Sequence, residues 1–183
     1  MIKQVYIASA ARTPVGSFQG ALSSMSAPEL GAHSIRASID RASVQDSQID
    51  EVIMGTVVSA GLKQAPARQA MRNAGLPDSC GATTINKVCG SGMKAIMLAT
   101  DLIKADSGTT IIAGGMESMS NAPYLVQKAR SGLRMGHQQM QDALFLDGLE
   151  DAETGGSMGS FAQTTADSSN LPEKIWTITR PTR

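Results

Sequence analysis

Aromatic residues are scarce in this chain: Phe, Tyr and Trp together make up 3 % of its 183 residues. So few rings leave little surface on which single-stranded bases could stack. Neither sign of charge dominates, since 16 Lys and Arg balance 16 Asp and Glu and the formal net charge is zero. Without a basic stripe or an acidic run, nucleic acid is not an expected partner. No stretch approaches the roughly 20 apolar residues of a membrane-spanning helix. The opening "MIKQVYIASAARTP" lacks the apolar core and small-residue cleavage site of a signal peptide. Cysteine is confined to Cys80 and Cys89, and histidine to His33 and His137. Two cysteines without nearby His or carboxylate partners make neither a disulfide framework nor a zinc site. No metal is expected, and a soluble, reducing, cytoplasmic setting is.

Small residues and thioethers fill the gap, with 18 Gly and 11 Met. Small residues let helices and strands approach closely, and methionines fill irregular core space. "KQVYIASA" followed by a Pro/Gly loop predicts a strand at about 3–9. Ser26, Pro28 and Glu29 form a capping-box start for a helix running to about Ala42. "IDEVIMGTVVSAG" predicts a second strand and "APARQAMRNAGLP" a short helix stopped by Gly75 and Pro77. "ATTINKV" predicts a third strand leading into Cys89. "SGMKAIMLATDLIKADSG" is apolar on nearly all sides, which predicts a buried helix. "TTIIAGG" completes four strands. Strands alternating with helices up to Gly115 predict an α/β fold with a mostly parallel sheet covered on both faces. From about residue 119 the texture loosens into a second subdomain, one helix (Gln139–Leu146) among long loops of the kind that are usually functional or disordered.

The residues around Cys89 carry the chemistry. A helix N-terminus presents free N–H groups and partial positive charge, which favour a thiolate. Gly90 and Gly92 let backbone approach whatever the cysteine attacks, and leave N–H groups for an oxyanion. Apolar sequence on both sides predicts a dry site. These features suit a cysteine nucleophile that forms a thioester. A lone cysteine at a strand–helix junction is also, most often, a small buried hydrophobe. Neither His33, mid-helix, nor His137, in the loop "LRMGHQQM", makes a convincing base.

"INKVCGSGMKAIMLATDLI" resembles the acyl-enzyme signature of the thiolases. "AARTPVGSFQG", "QAPARQA", "GLP" and "AGGMESMSNAPY" resemble the same family in the same order, over about residues 1–170, nearest the acetoacetyl-CoA-forming, biosynthetic type. The resemblance implies an acyl-CoA C-acyltransferase of fatty acid metabolism. On that resemblance, Cys89 is expected to take an acyl group from acyl-CoA as a thioester and pass it to a second acyl-CoA, or the reverse. It also implies that the Cys89 backbone N–H helps form an oxyanion hole. It further implies coenzyme A thioesters as substrates, no resident cofactor, and a homo-oligomer like those the family forms. Residues 1–118 correspond to the α/β part and 119–170 to part of the CoA-cradling loop domain. There Leu149 falls on a position that touches CoA, and Met158 on one lining the pantetheine channel. Ser157 stands where the family often has His. "SGLRMGHQQM" resembles a segment near the family's tetramer contacts.

Family members are about twice this long, and the resemblance places their activating Gly-His-Pro histidine, their Cys-x-Gly cysteine and the last strand of the first domain beyond the matched stretch. An unpaired apolar sheet edge invites pairing with another chain. After "FAQTTADSSNL" the family pattern gives way, at 171–183, to "PEKIWTITRPTR". A single-base deletion near codon 171 is the expected origin of the change, with synonymous codons chosen freely, and it would leave Trp176 without a structural role. The alternative expectation is a non-catalytic fragment acting by dimerisation or by docking to a full-length relative. A ketosynthase-type relative is disfavoured by the intact "GGMESMSNAPY".

Overall fold

Val52, Ile53 and Met54 are all buried, as consecutive strand residues must be when both faces of a sheet are covered. They form strand β1 (Glu51–Gly55), the middle of a three-stranded parallel sheet. The computed structural model describes residues 3–171, and the aberrant tail expected at 171–183 lies outside them from residue 172 on. In chain order, α1 (Ala27–Ala42) precedes β1, and α2 (Pro66–Asn73), β2 (Gly81–Ile85), α3 (Ser91–Lys104) and β3 (Ile111–Gly115) follow. The strand order is β2-β1-β3. The first crossover, through α2, steps to one side of β1, and the second, through α3, returns across it. Right-handed crossovers in opposite directions put their helices on opposite faces. Val52 and Met54 accordingly pack with Ile35, Ile39, Ala70 and Met71 of α1 and α2. Ile53 packs with Ala95 and Ala99 of α3. The reversal of direction leaves a crevice at the carboxyl ends of the strands.

Local chemistry explains the boundaries. The Ser26 side chain accepts from Glu29 N–H while Glu29 accepts from Ser26 N–H, so the capping box forms as expected. Pro66 starts α2 behind Ala65, and Thr84 Oγ1 accepts from Ala67 N–H at 2.9 Å, which ties the helix start to β2. At the opposite end of the sheet, Asp50 Oδ2 accepts from Thr109 N–H, Thr109 Oγ1 and Thr110 N–H.

Beyond β3 a hairpin of β4 (Tyr124–Val126) and β5 (Met140–Asp142) leads to a π-helical turn, Phe145–Leu149, and then to α4 (Met158–Ser168). Ala143 and Leu144 are buried against Val58 in a separate apolar cluster.

Four expectations are corrected. Residues 3–9 form no strand; they are extended and unpaired, with Tyr6 and Ile7 exposed. Among the described residues, the segment is held at its ends, by Lys3 to Asp106 and by Ser9 Oγ to Ser38 O. Helix α3 is not buried all round: Ser91, Ala95 and Ala99 are, whereas Met93, Ile96 and Met97 face outward, Met93 being 72 % exposed. The predicted helix at Gln139–Leu146 begins as strand β5 and turns helical only at Ala143. Helix α4 was not foreseen; its cap is the Ser157 side chain, which accepts from Ser160 N–H. No helix among the described residues is long and apolar enough to cross a membrane.

Candidate active site

β2 ends at Ile85, whose carbonyl accepts from Thr56 N–H. The chain then turns sharply through residues 86–90 into α3, and four side-chain bonds shape that turn. Asn86 Oδ1 accepts from Val88 N–H at 2.8 Å, and Asn86 Nδ2 donates to Val57 O at 3.3 Å. Ser91 Oγ accepts from Lys87 N–H at 2.8 Å and donates to Val88 O at 2.6 Å. Ser91 is 4 % exposed, and these two bonds satisfy its buried hydroxyl. Between them Val88 is held at φ +47°, in the left-handed region. A β-branched residue occupies that region only under constraint. Cys89 follows directly, one residue before Gly90, the N-cap of α3.

Glycines allow the helix start to sit on the strand ends. Gly55 and Gly115 are paired across β1 and β3. A Cβ on Gly55 would lie 2.5 Å from Ser91 Cβ and 2.7 Å from the Ser91 carbonyl carbon, and one on Gly115 would lie 3.4 Å from Gly92 Cα. α3 therefore begins in direct contact with bare backbone. Gly90 N–H donates to Lys87 O, so it does not serve as the free oxyanion donor expected of it. The first α-helical bond runs from Lys94 N–H to Gly90 O, which leaves the Gly92 and Met93 N–H groups ahead of it in the first turn.

Cys89 opens onto a cavity of about 590 Å³ walled by Pro14, Phe18, Val57, Gly115, Glu117 and Met119 among others. Its outer wall, the loop after Pro14, is stitched to the segment after β3. Ser120 accepts from Gln19 N–H, and Asn121 Nδ2 donates to Ser23 O and Met25 O. The thiol is exposed rather than enclosed, so the dry site expected from the flanking apolar residues is not supplied by them: the apolar side chains of Val88 and Met93 face solvent. His33, on the exposed side of α1, and His137, on an exposed loop, both lie off this cavity. Cys80 is the opposite case. It is buried in the α1–α2 core, and burial, with the carboxylates of Glu51 and Asp50 nearby, pushes its thiol up from the usual range.

Glu117 is the site residue that motif reading passed over. Its carboxylate accepts from Thr56 Oγ1 (3.0 Å), Val57 N–H (2.8 Å) and Val58 N–H (3.2 Å). The sole sequence signal is a carboxylate just past the Gly-Gly end of a strand. Leu149, Ser157 and Met158 are brought together with one another, because Glu150 and Ser157 form a bridge. They do not line the Cys89 cavity. Leu149 packs on the Val58 cluster, one residue along the chain from a wall residue, Val57.

The family described as "Thiolase, N-terminal domain" matches residues 5–175. The chain belongs to the thiolase family. Relatives to this thiolase domain are named acetyl-CoA acetyltransferase. One from Escherichia coli K12 is 50 % identical over 166 residues, covering 90 % of this chain and 42 % of that protein. One from Schizosaccharomyces pombe is 47 % identical over 168 residues, 92 % of this chain and 42 % of that protein. One from Saccharomyces cerevisiae is 46 % identical over 182 residues, 98 % of this chain and 44 % of that protein. The thiolase domain thus spans about two fifths of the length of the curated relatives it matches.

Proposed function

We propose that this thiolase domain carries the acyl-accepting half of an acyl-CoA C-acyltransferase, with Cys89 as the nucleophile. The observation that supports it most is the setting of Cys89: a strained turn at a helix start, opening on a cavity, in a family whose similar members are named acetyl-CoA acetyltransferase. In the scheme, the Cys89 sulfur bonds to the acyl carbon, the bond from that carbon to the CoA sulfur breaks, and the thiol proton leaves with CoA. A second acyl-CoA that has lost an α-proton then forms a carbon–carbon bond to the acyl carbon. The bond from that carbon to the Cys89 sulfur breaks, and the departing thiolate takes up one proton in place of the one lost from the α-carbon. The backbone N–H groups at the start of α3, that of Cys89 included, are the proposed oxyanion donors. Coenzyme A contacts are proposed at Leu149, Ser157 and Met158 within residues 119–170. Coenzyme A thioesters act as substrates with no resident cofactor. A cytoplasmic homo-oligomer of fatty acid metabolism is the proposed setting.

A second reading is favoured by one observation, the outward stripe of Met93, Ile96 and Met97 on α3. Under it the chain docks on a full-length thiolase through that stripe. One experiment weighs both. The purified chain is incubated with acetyl-CoA and followed by intact mass, with Cys89→Ala as control. An acetyl adduct that needs Cys89 supports the proposal. An adduct that forms only after a full-length thiolase is added supports docking, with the base supplied by the partner. No adduct under either condition overturns both.

A further inference from the structure

We infer that Glu117 is a positioning residue for Cys89, acting through Val57 and Asn86. The functional meaning of this rests on Cys89 being the acyl acceptor, but the geometry stands without it. Glu117 clamps the chain as it leaves β1, holding Thr56 Oγ1 and the N–H groups of Val57 and Val58 on one carboxylate. Hydrogen bonds to an ionised acceptor are the strong kind. Val57 is gripped at both ends, since its N–H goes to Glu117 and its carbonyl accepts from Asn86 Nδ2. The other end of the same amide, Asn86 Oδ1, takes the N–H of Val88. The run Glu117–Val57–Asn86–Val88 therefore ends on the residue immediately before Cys89.

Val88 is where such a clamp is needed. Its φ of +47° persists only if surrounding bonds over-determine it. With the clamp loosened, Val88 relaxes toward an ordinary conformation and carries Cys89 away from the start of α3. If Glu117 only stabilised the fold, its loss would lower stability and leave the reactivity of the folded protein unchanged. If it acted directly as a negative charge facing the same cavity, its loss would speed attack by the thiol.

The test is the rate of alkylation by iodoacetamide, read separately at Cys89 and Cys80 by peptide mass spectrometry. Cys80, 2 % exposed, reports whether the core has opened. Glu117→Gln keeps size and one acceptor but turns an amide N–H toward a backbone donor. The Cys89 rate is expected to fall about five-fold, the loss of one helix-terminus interaction of ordinary strength, with Cys80 still protected. Asn86→Ala should give a similar fall. Asn86→Ser, which keeps an acceptor for Val88 N–H, should recover most of the rate. The Glu117→Gln, Asn86→Ala double variant should be no slower than Asn86→Ala alone, because residues in one network do not add. An unchanged or faster Cys89 in folded Glu117→Gln overturns the inference, as does an additive double variant. If Glu117→Gln also opens Cys80, Thr56→Val, which removes one of the three donors, carries the same comparison. No acyl-CoA is needed, so a failure here is separable from a failure of acyl transfer.

Discussion

Val88 is an exposed valine in a conformation that suits glycine, and this makes its side chain dispensable to stability. Left-handed backbone costs a non-glycine residue about 1–2 kcal/mol, against about 0.5–1 kcal/mol of extra unfolded-state entropy for glycine. Val88→Gly is therefore expected to leave the unfolding free energy from a urea melt unchanged or raise it by up to about 1 kcal/mol. A clear loss would show that the valine side chain holds something in place. Asp50 works at the other end of the sheet. The N–H groups of Thr110 and Thr109, and the Thr109 hydroxyl, hold its carboxyl below the ordinary 3.8. A depressed pKa means that Asp50 contributes stability above pH 3.8, and that the contribution fades as pH falls through the lower folded-state value. Asp50→Asn should thus be less stable than the parent at neutral pH, and the gap between the two unfolding curves should close below pH 3.8. A gap that stays constant into acid would refute that assignment.

At the scale of elements, the contact between α3 and the strand ends decides where the cysteine sits. Gly55→Ala would drive a Cβ to 2.7 Å from the backbone of Ser91, and backbone cannot rotate away as a side-chain tip can. A loss of about 1–3 kcal/mol, the usual cost of overpacking, is expected. Gly148→Ala is the matched control: its Cβ would meet only Val58 Cγ2 at 3.5 Å and Val57 Cγ1 at 3.7 Å, ordinary contacts, and its φ is not positive. It should be neutral or stabilise by about 0.4–1 kcal/mol by restricting the unfolded chain. Urea melts of the two variants side by side check the contrast. The elements that were legible in advance share a local cause. The capping box of α1 is written in Ser26 and Glu29, and the core strands in runs such as "EVIMG" and "IIAGG". The helix expected at Gln139–Leu146 failed because β4 recruits Met140–Asp142 into a ladder, a pairing with a segment 14 or more residues earlier that no local pattern announces.

Across the whole molecule, the feature with the largest consequence is the outward face of α3. Met93, Ile96 and Met97 recur at three- and four-residue spacing and so form one apolar stripe in solvent. Exposed apolar patches of this kind drive association. Met93→Glu combined with Met97→Lys places an opposite-charge pair one helical turn apart. It should reduce concentration-dependent light scattering while changing the unfolding free energy by less than about 0.5 kcal/mol. A larger drop in stability would mean that the stripe is packed in solution. The unpaired segment 3–9 belongs to the same scale. Its β-rich composition suits an extended chain, but the strand expected there does not form, because a strand is a pairing and no described strand offers it a ladder.

By itself, then, the sequence determined the α/β class, the starts of α1 and α2 and the choice of Cys89 as the candidate nucleophile, because periodicity, caps and a contiguous motif are local information. The tertiary structure decided what surrounds that cysteine. Glu117, Val57 and Asn86 are brought to it from three separate segments, and side chains far apart in the chain meet only when the sheet assembles. It also decided that Cys89 and one face of α3 face solvent. Apolar composition states that a surface can be buried, whereas burial itself depends on a partner surface being there to cover it.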